Sequence, residues 1–244
     1  MYKRQIYYRV ALRRIRKKQK AVLESEKISK DLVLSQLENL RSQMNPHFIF
    51  NVLNSIQEYI ISNDKYAASL YLAEFSKLIR MYLEHSRKEE ILLTEELKAL
   101  KIYLELEKNR FGEDFEYSIS LNENVRKETI KVPSLFIKPY VENSIKHGLL
   151  HKEKQKALEV RFSYDEFSKA LICHVIDNGI GRDQAEKINE QKRKDHVSFA
   201  TKAINNRVAL LNKNRKRKIV VKIIDLVSNE IKPQGTKITI IIPQ

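Results

Sequence analysis

The hydrophobic pattern of this 244-residue chain changes period near Phe111-Gly112, and that change sets its broad architecture. Upstream, apolar residues recur at helical spacing. In YAASLYLAEFSKLIRMYLEHS, Leu70, Leu72, Phe75, Leu78, Ile79 and Tyr82 are expected on one broad helix face. A helix from Pro46 to about Ile61 precedes it, with Asn63-Asp64 as break and cap, and Thr94 with Glu95-Glu96 looks like a third helix start. Val33, Leu37, Leu40 and Met44, spaced 4, 3 and 4 apart, have the seam of a coiled coil or of an ordinary amphipathic helix. Downstream, FEYSISLN alternates as a strand and KVPSLFIKPYVENSIKHGL reads as a helix entered from Pro133. ALEVRFSYD and KALICHVIDNG are two strands, SFATKAINNRVALLNKN a helix, and KIVVKIIDLVS with TKITIIIP a terminal hairpin. The expected class is α+β: an all-helical region, then helices layered on a mixed or antiparallel sheet. The expected divisions are 1–40, 41–110 and 111–244.

Charge and cysteine content narrow the classes of function. The net charge is +15, and the first 20 residues carry nine Lys or Arg and no acid, interleaved with Tyr2, Ile6, Tyr7, Tyr8, Val10, Leu12 and Ile15. That mixture suits a juxtamembrane segment at the cytoplasmic edge of an anionic bilayer. On that reading the chain is expected at the cytoplasmic face of the cell membrane, soluble as given, with a membrane-embedded or membrane-adjacent sensor portion missing. A merely solvated helix and a nucleic-acid arm are the competing readings; no recognition module follows, so direct nucleic-acid contact is not expected. One cysteine, Cys173, excludes an intramolecular disulfide framework.

Three short stretches carry chemistry. IDNGIGRD puts Asp177 at a strand end before Gly179, Gly181 and Arg182. VENSIKHG places Asn143, Lys146 and His147 along one side of a helix closed by Gly148. QGTKITIII sets Gly235-Thr236 at the mouth of the last strand. A turn or a solvated helix face accounts for each alone; their order along the chain is what adds weight.

That order resembles the ATP-binding fold of histidine kinases, gyrase, Hsp90 and MutL, the GHKL (Bergerat) α/β sandwich. The resemblance implies that Asn143 offers a neutral oxygen to Mg²⁺ and that Asp177 accepts a hydrogen bond from the adenine amino group. Gly179 and Gly181 would admit the nucleotide and lead into a lid, while Lys146, His147 or Arg182 would offset phosphate charge. The family usually closes its lid with another glycine-rich box. Here no glycine stands between Gly181 and Gly235, and Ser198 and Thr201 occupy the corresponding region.

The string Leu40-Arg41-Ser42-Gln43-Met44-Asn45-Pro46-His47-Phe48-Ile49-Phe50-Asn51-Val52-Leu53-Asn54-Ser55-Ile56 resembles the phosphoacceptor box of LytS-like sensor histidine kinases. VPSLFIKPYVENSIKHGL and IDNGIGRD resemble their asparagine box and first glycine box. Asn45 suits an N-cap and Pro46 a first helical residue, a kinked continuous helix being the other possibility; in the first case His47 falls in a first turn, where a phosphoryl group is electrostatically favoured. The resemblance implies a homodimer that binds ATP and Mg²⁺, phosphorylates His47, and passes the phosphoryl group to an aspartate in a response regulator receiver domain. Phe48 follows His47 where many histidine kinases have an acid, which leaves the general base unassigned. A degenerate ATP-binding dimeric scaffold without kinase activity is the alternative.

Overall fold

A computed structural model describes residues 46–182, 184–185, 199–213, 215–227 and 233–244, without the side chains of 46, 47, 199–205 and 233. The basic opening, the Val33–Met44 seam, Asn45 and Ser198 lie outside those residues. The chain forms two compact units, Met1–Phe50 and Asn51–Gln244.

Helix α1 (Pro46–Ile61) begins at the expected proline, whose fixed φ and missing N–H suit a first turn. It stops where Asn63 takes a left-handed φ of 61°, a conformation that Asn tolerates better than most residues. Helix α2 (Lys65–His85) then starts at the expected cap, with the Asp64 carboxylate accepting the Ala67 N–H at 2.9 Å. The buried stripe of α2 is Ala68, Tyr71, Leu78, Tyr82 and His85, while Leu70 and Leu72 are exposed. The broad face expected from the sequence is therefore split in two. Tyr71 anchors the buried half by donating its hydroxyl proton to the Leu106 carbonyl at 2.8 Å.

Strand β1 (Glu90–Leu92) pairs antiparallel with β3 (Lys131–Pro133), so Ile91 faces Val132. Helix α3 (Leu93–Phe111) follows at once and packs against both α2 and β2 (Phe115–Leu121). Thr94 is not its cap; Glu95 reaches back to accept the Leu92 N–H at 3.1 Å. Helix α3 thus has neighbours on both sides of the expected division at 110/111.

Pro133 ends β3 instead of opening a helix. The first-turn proline is Pro139, in α4 (Lys138–Asn143), which continues as a π-helical turn over Ser144–Leu149. The main sheet adds β4 (Lys156–Asp165), β5 (Ala170–Asp177), β6 (Val220–Val227) and β7 (Pro233–Pro243), in the order β2-β4-β5-β7-β6. Only β2 and β4 run parallel; the other neighbours are antiparallel, including the expected β6–β7 hairpin. Helix α5 (Phe199–Asn212) precedes β6. Alternation of strand residues puts Phe115, Val160, Phe162, Cys173, Val175, Ile240 and Ile242 in the core, where Tyr103, Leu104, Ile145 and Leu149 of the helical layer are also buried. This is a helical region followed by an α/β sandwich with a mixed sheet, the class expected.

Candidate nucleotide site

Asp177 ends β5 and is only 2% exposed. Three glycines let the chain close in around this residue. A Cβ on Gly148 would meet the Asp177 Oδ1 at 2.7 Å, and one on Gly235 would meet the Asp177 carbonyl oxygen at 1.9 Å. A Cβ on Gly179 would lie 2.4 Å from the Gly148 backbone. Gly235 also has φ 122°, a conformation that side-chain-bearing residues rarely adopt. So Gly148, expected as a helix C-cap, lies inside the π-helical turn and serves close approach to Asp177 instead.

Burial pushes the Asp177 carboxyl up from the ordinary carboxylate range. The Gly179 N–H, at 2.9 Å from Oδ1, the Ser144 hydroxyl and the Thr236 N–H pull it back, and Asp225 pushes it slightly up. Thr236 is buried directly across from Asp177 in the β5–β7 register. The next residue, Asn178, locks the turn: its Oδ1 accepts the Ala157 N–H at 2.9 Å and its amide donates to the Gln155 carbonyl at 2.8 Å. Lys152 donates to the Asn178 carbonyl at 2.8 Å, and the Ile180 N–H donates to the Gly148 carbonyl at 3.2 Å. Neither Ser144, Lys152 nor Asn178 was expected from the sequence. Ser144 stood inside the asparagine box and Asn178 inside the glycine box; Lys152 had no signal beyond its charge.

The helical layer supplies the remaining candidates. Asn143 closes α4 and is half-buried; Lys146 is exposed and His147 half-buried on the π-helical turn that follows. The residues between and after them, Ser144, Ile145, Gly148 and Leu149, are buried. Burial lowers the His147 pKa, and Lys146 and His151 lower it further. Gly181 is buried with φ 77°, and the Ala185 N–H returns to its carbonyl at 3.2 Å. Arg182 makes a two-pronged contact with Asp225 of β6, Nε–Oδ1 2.8 Å and Nη2–Oδ2 2.5 Å, which holds the Asp225 carboxyl below its usual range. The structure thus brings Asn143, Asp177, Gly179, Gly181, Gly235 and Thr236 onto neighbouring elements, and it ties Arg182 to an acid. Thr201 falls in α5, its side chain outside the description, as is that of His47 in the first turn of α1.

Among the described residues no cluster of His, Cys, Asp or Glu could enclose a metal. The amide oxygen of Asn143 fits Mg²⁺, which keeps several waters and shares its remaining ligands with phosphates.

Residues 35–115 match the histidine kinase family. The sensor protein LytS of Staphylococcus haemolyticus is 32% identical over 160 residues, covering 66% of this chain and 26% of that protein. The sensor histidine kinase/phosphatase LytS of Staphylococcus aureus (strain MRSA252) is 32% identical over 158 residues, again covering 65% and 26%. The family match takes in about a third of the chain, and the similarity to the LytS sensors extends over about two thirds of it. The chain spans about a quarter of the length of the curated relatives it matches. Among solved structures, the mycobacterial sensor histidine kinase MprB overlays with a TM-score of 0.42 at 17% identity, over 64% of this chain and 96% of that one. So loose an overlay adds nothing to the assignment.

Proposed function

We propose that the chain binds Mg·ATP at the Asp177 pocket, transfers the γ-phosphoryl group to His47, and passes it on to an aspartate of a response regulator receiver domain. The observation that supports this most is the buried Asp177 carboxylate, walled by Gly148, Gly179 and Gly235. A fixed acceptor at the end of a strand, with no Cβ in the way, suits the amino edge of adenine and rejects a base that offers a carbonyl there. Mg²⁺ held through Asn143 would neutralise phosphate charge, with Lys146 or His147 beside it.

The protein's task in such a transfer is positioning and charge stabilisation, because phosphoryl transfer needs little covalent chemistry from side chains. His47 lies in the first turn of α1, where N–H groups lacking helical partners favour the arriving anion. A neutral imidazole is nucleophilic near pH 7 and needs little activation. The bond from the γ-phosphorus to the bridging oxygen of ADP breaks as the bond to the imidazole nitrogen forms, and the ring proton is lost to solvent.

The chain acts as a homodimer. The exposed Leu53, Ile60, Ile61, Leu70 and Leu72 on α1 and α2 support this, being more apolar surface than a lone helical pair leaves to water. The basic opening lies against the cytoplasmic leaflet of the cell membrane, next to a sensor portion. No helix among the described residues is long and apolar enough to cross a membrane.

Incubation with γ-labelled Mg·ATP, wild type beside His47→Gln, tests the reading. Acid-labile label on the wild type and none on the variant is expected. Nucleotide binding without label on either would select the scaffold alternative, which the absent lid glycines favour.

A further inference from the structure

The helix that carries Asn143 has no capping side chain of its own. A helix start leaves N–H groups without helical partners, and when buried they must be satisfied from elsewhere. Here the partner comes from another helix. Glu96, in the first turn of α3 and 1% exposed, accepts the Ile137 N–H at 3.2 Å, and its carboxylate also faces the Leu135 and Lys138 amides. The same turn is held from its other edge by α5: Arg207 donates Nη1 to the Leu135 carbonyl at 3.0 Å and Nη2 to the Ser134 carbonyl. The turn needs such holding, because Leu135 sits at φ 52°.

We propose that Glu96 and Arg207 are positioning residues for the ATP site. A carboxyl oxygen from α3 takes the N–H edge of the 134–138 turn and a guanidinium from α5 takes its C=O edge, which fixes where the Asn143 helix begins. The inference rests on the reading of Asn143 as a Mg·ATP contact and adds the residues that place it.

Attraction between Glu96 and Arg207 closes the arrangement across the turn: Glu96 supports the charged form of Arg207, while burial of each opposes it. Because α5 follows Gly181 and the region where a lid is expected, the clamp also links the seating of α5 to the start of the Asn143 helix. Neither residue touches nucleotide in this account; both act through backbone.

Two readouts on the full chain test it. The first is amide hydrogen exchange without nucleotide, and the second is Mg·ATP affinity, each for wild type, Glu96→Ala, Glu96→Gln, Arg207→Ala and Arg207→Lys. Arg161→Ala, which breaks an exposed pair with Glu159 on the sheet, is the control. Loss of a buried bond to a charged group predicts about tenfold weaker Mg·ATP binding for both alanine variants. Exchange should rise at amides 137–143 and stay unchanged at 171–175 in β5. Glu96→Gln keeps an acceptor oxygen for the Ile137 N–H, so it should stay within about threefold of wild type. Arg207→Lys, which cannot span two carbonyls, should fall between Arg207→Ala and wild type. Should an alanine variant fail to fold, the Gln and Lys variants carry the same comparison. Wild-type affinity in both alanine variants overturns the clamp, as does a Glu96→Gln defect as deep as that of Glu96→Ala. A wild-type chain that binds no Mg·ATP overturns the functional reading, and the clamp's role in it.

Discussion

The two helices α1 and α2 and the α/β layer treat their apolar residues in opposite ways. In the layer, Tyr103, Phe115, Phe136 and Phe162 are all fully buried, and five of its strands pair in one sheet beside the small β1–β3 pair. On the helices, Ile60, Ile61 and Leu70 are each more than half exposed, although Tyr71, Leu78 and Tyr82 of α2 are buried. The layer closes its own core, whereas the helices leave apolar side chains exposed among the described residues. The division matches the roles proposed: a self-contained pocket for nucleotide, and a helical surface that finds its structure in a second copy. Coupling between them runs through α2, whose Tyr71 and His85 carbonyl are bonded to Leu106 and Ser134 of the layer.

Substitutions can sharpen that contrast. The largest effect is expected at Gly235→Ala, where the added Cβ meets backbone; a loss of about 4 kcal/mol or more in unfolding free energy, with no Mg·ATP binding, should appear in denaturant titration and calorimetry. Leu78→Ala, at a fully buried position of α2, should cost about 3 kcal/mol in the same titration. A monomer-level cost near zero there would mean that α2 does not belong to the layer's core.

Glu96→Gln should change how stability depends on pH. Burial pushes the Glu96 carboxyl up from 4.5 to about 7, against the pull of the Ile137 and Lys138 amides and Arg207. The folded chain therefore holds this proton more tightly than the unfolded chain does. Its contribution to stability is full below pH 4.5, declines as pH rises, and is gone above about pH 7. Glutamine cannot ionise, so the wild type should lose on the order of 3 kcal/mol relative to the variant across that window. Urea titrations of both at pH 5 and pH 8 read this directly; parallel curves would contradict it. The smallest effect on folding is expected at Leu70→Ser, within about 0.5 kcal/mol. The same change should weaken self-association in sedimentation equilibrium, and an unaltered dimer would remove Leu70 from the partner face.

Most strands and the motif residues were legible in the sequence, because alternation and glycine spacing are local signals. Asn63-Asp64 was legible for the same reason: its chemistry is complete within four residues. What escaped depends on distant partners. Glu95 and Glu96 are adjacent and identical in type, yet one caps its own helix and the other the start of α4, 41 residues away. Arg207 carried no signal in the sequence beyond its charge. Pro133 and Pro139 both suit a helix entry, and only the pairing of Val132 with Ile91 decides between them. The face of α2 was misjudged because Leu70 and Leu72 are as apolar as Leu78; which of them is covered depends on α3.

The account's central claim is a division of labour between the Asp177 pocket and His47. Titration calorimetry with Mg·ATP on wild type, Asp177→Asn and His47→Gln tests it most directly. Wild-type affinity in His47→Gln and a loss of about a hundredfold in Asp177→Asn are predicted, the size expected when a buried charged acceptor is mismatched. Unimpaired binding by Asp177→Asn would contradict the claim and move the nucleotide site elsewhere.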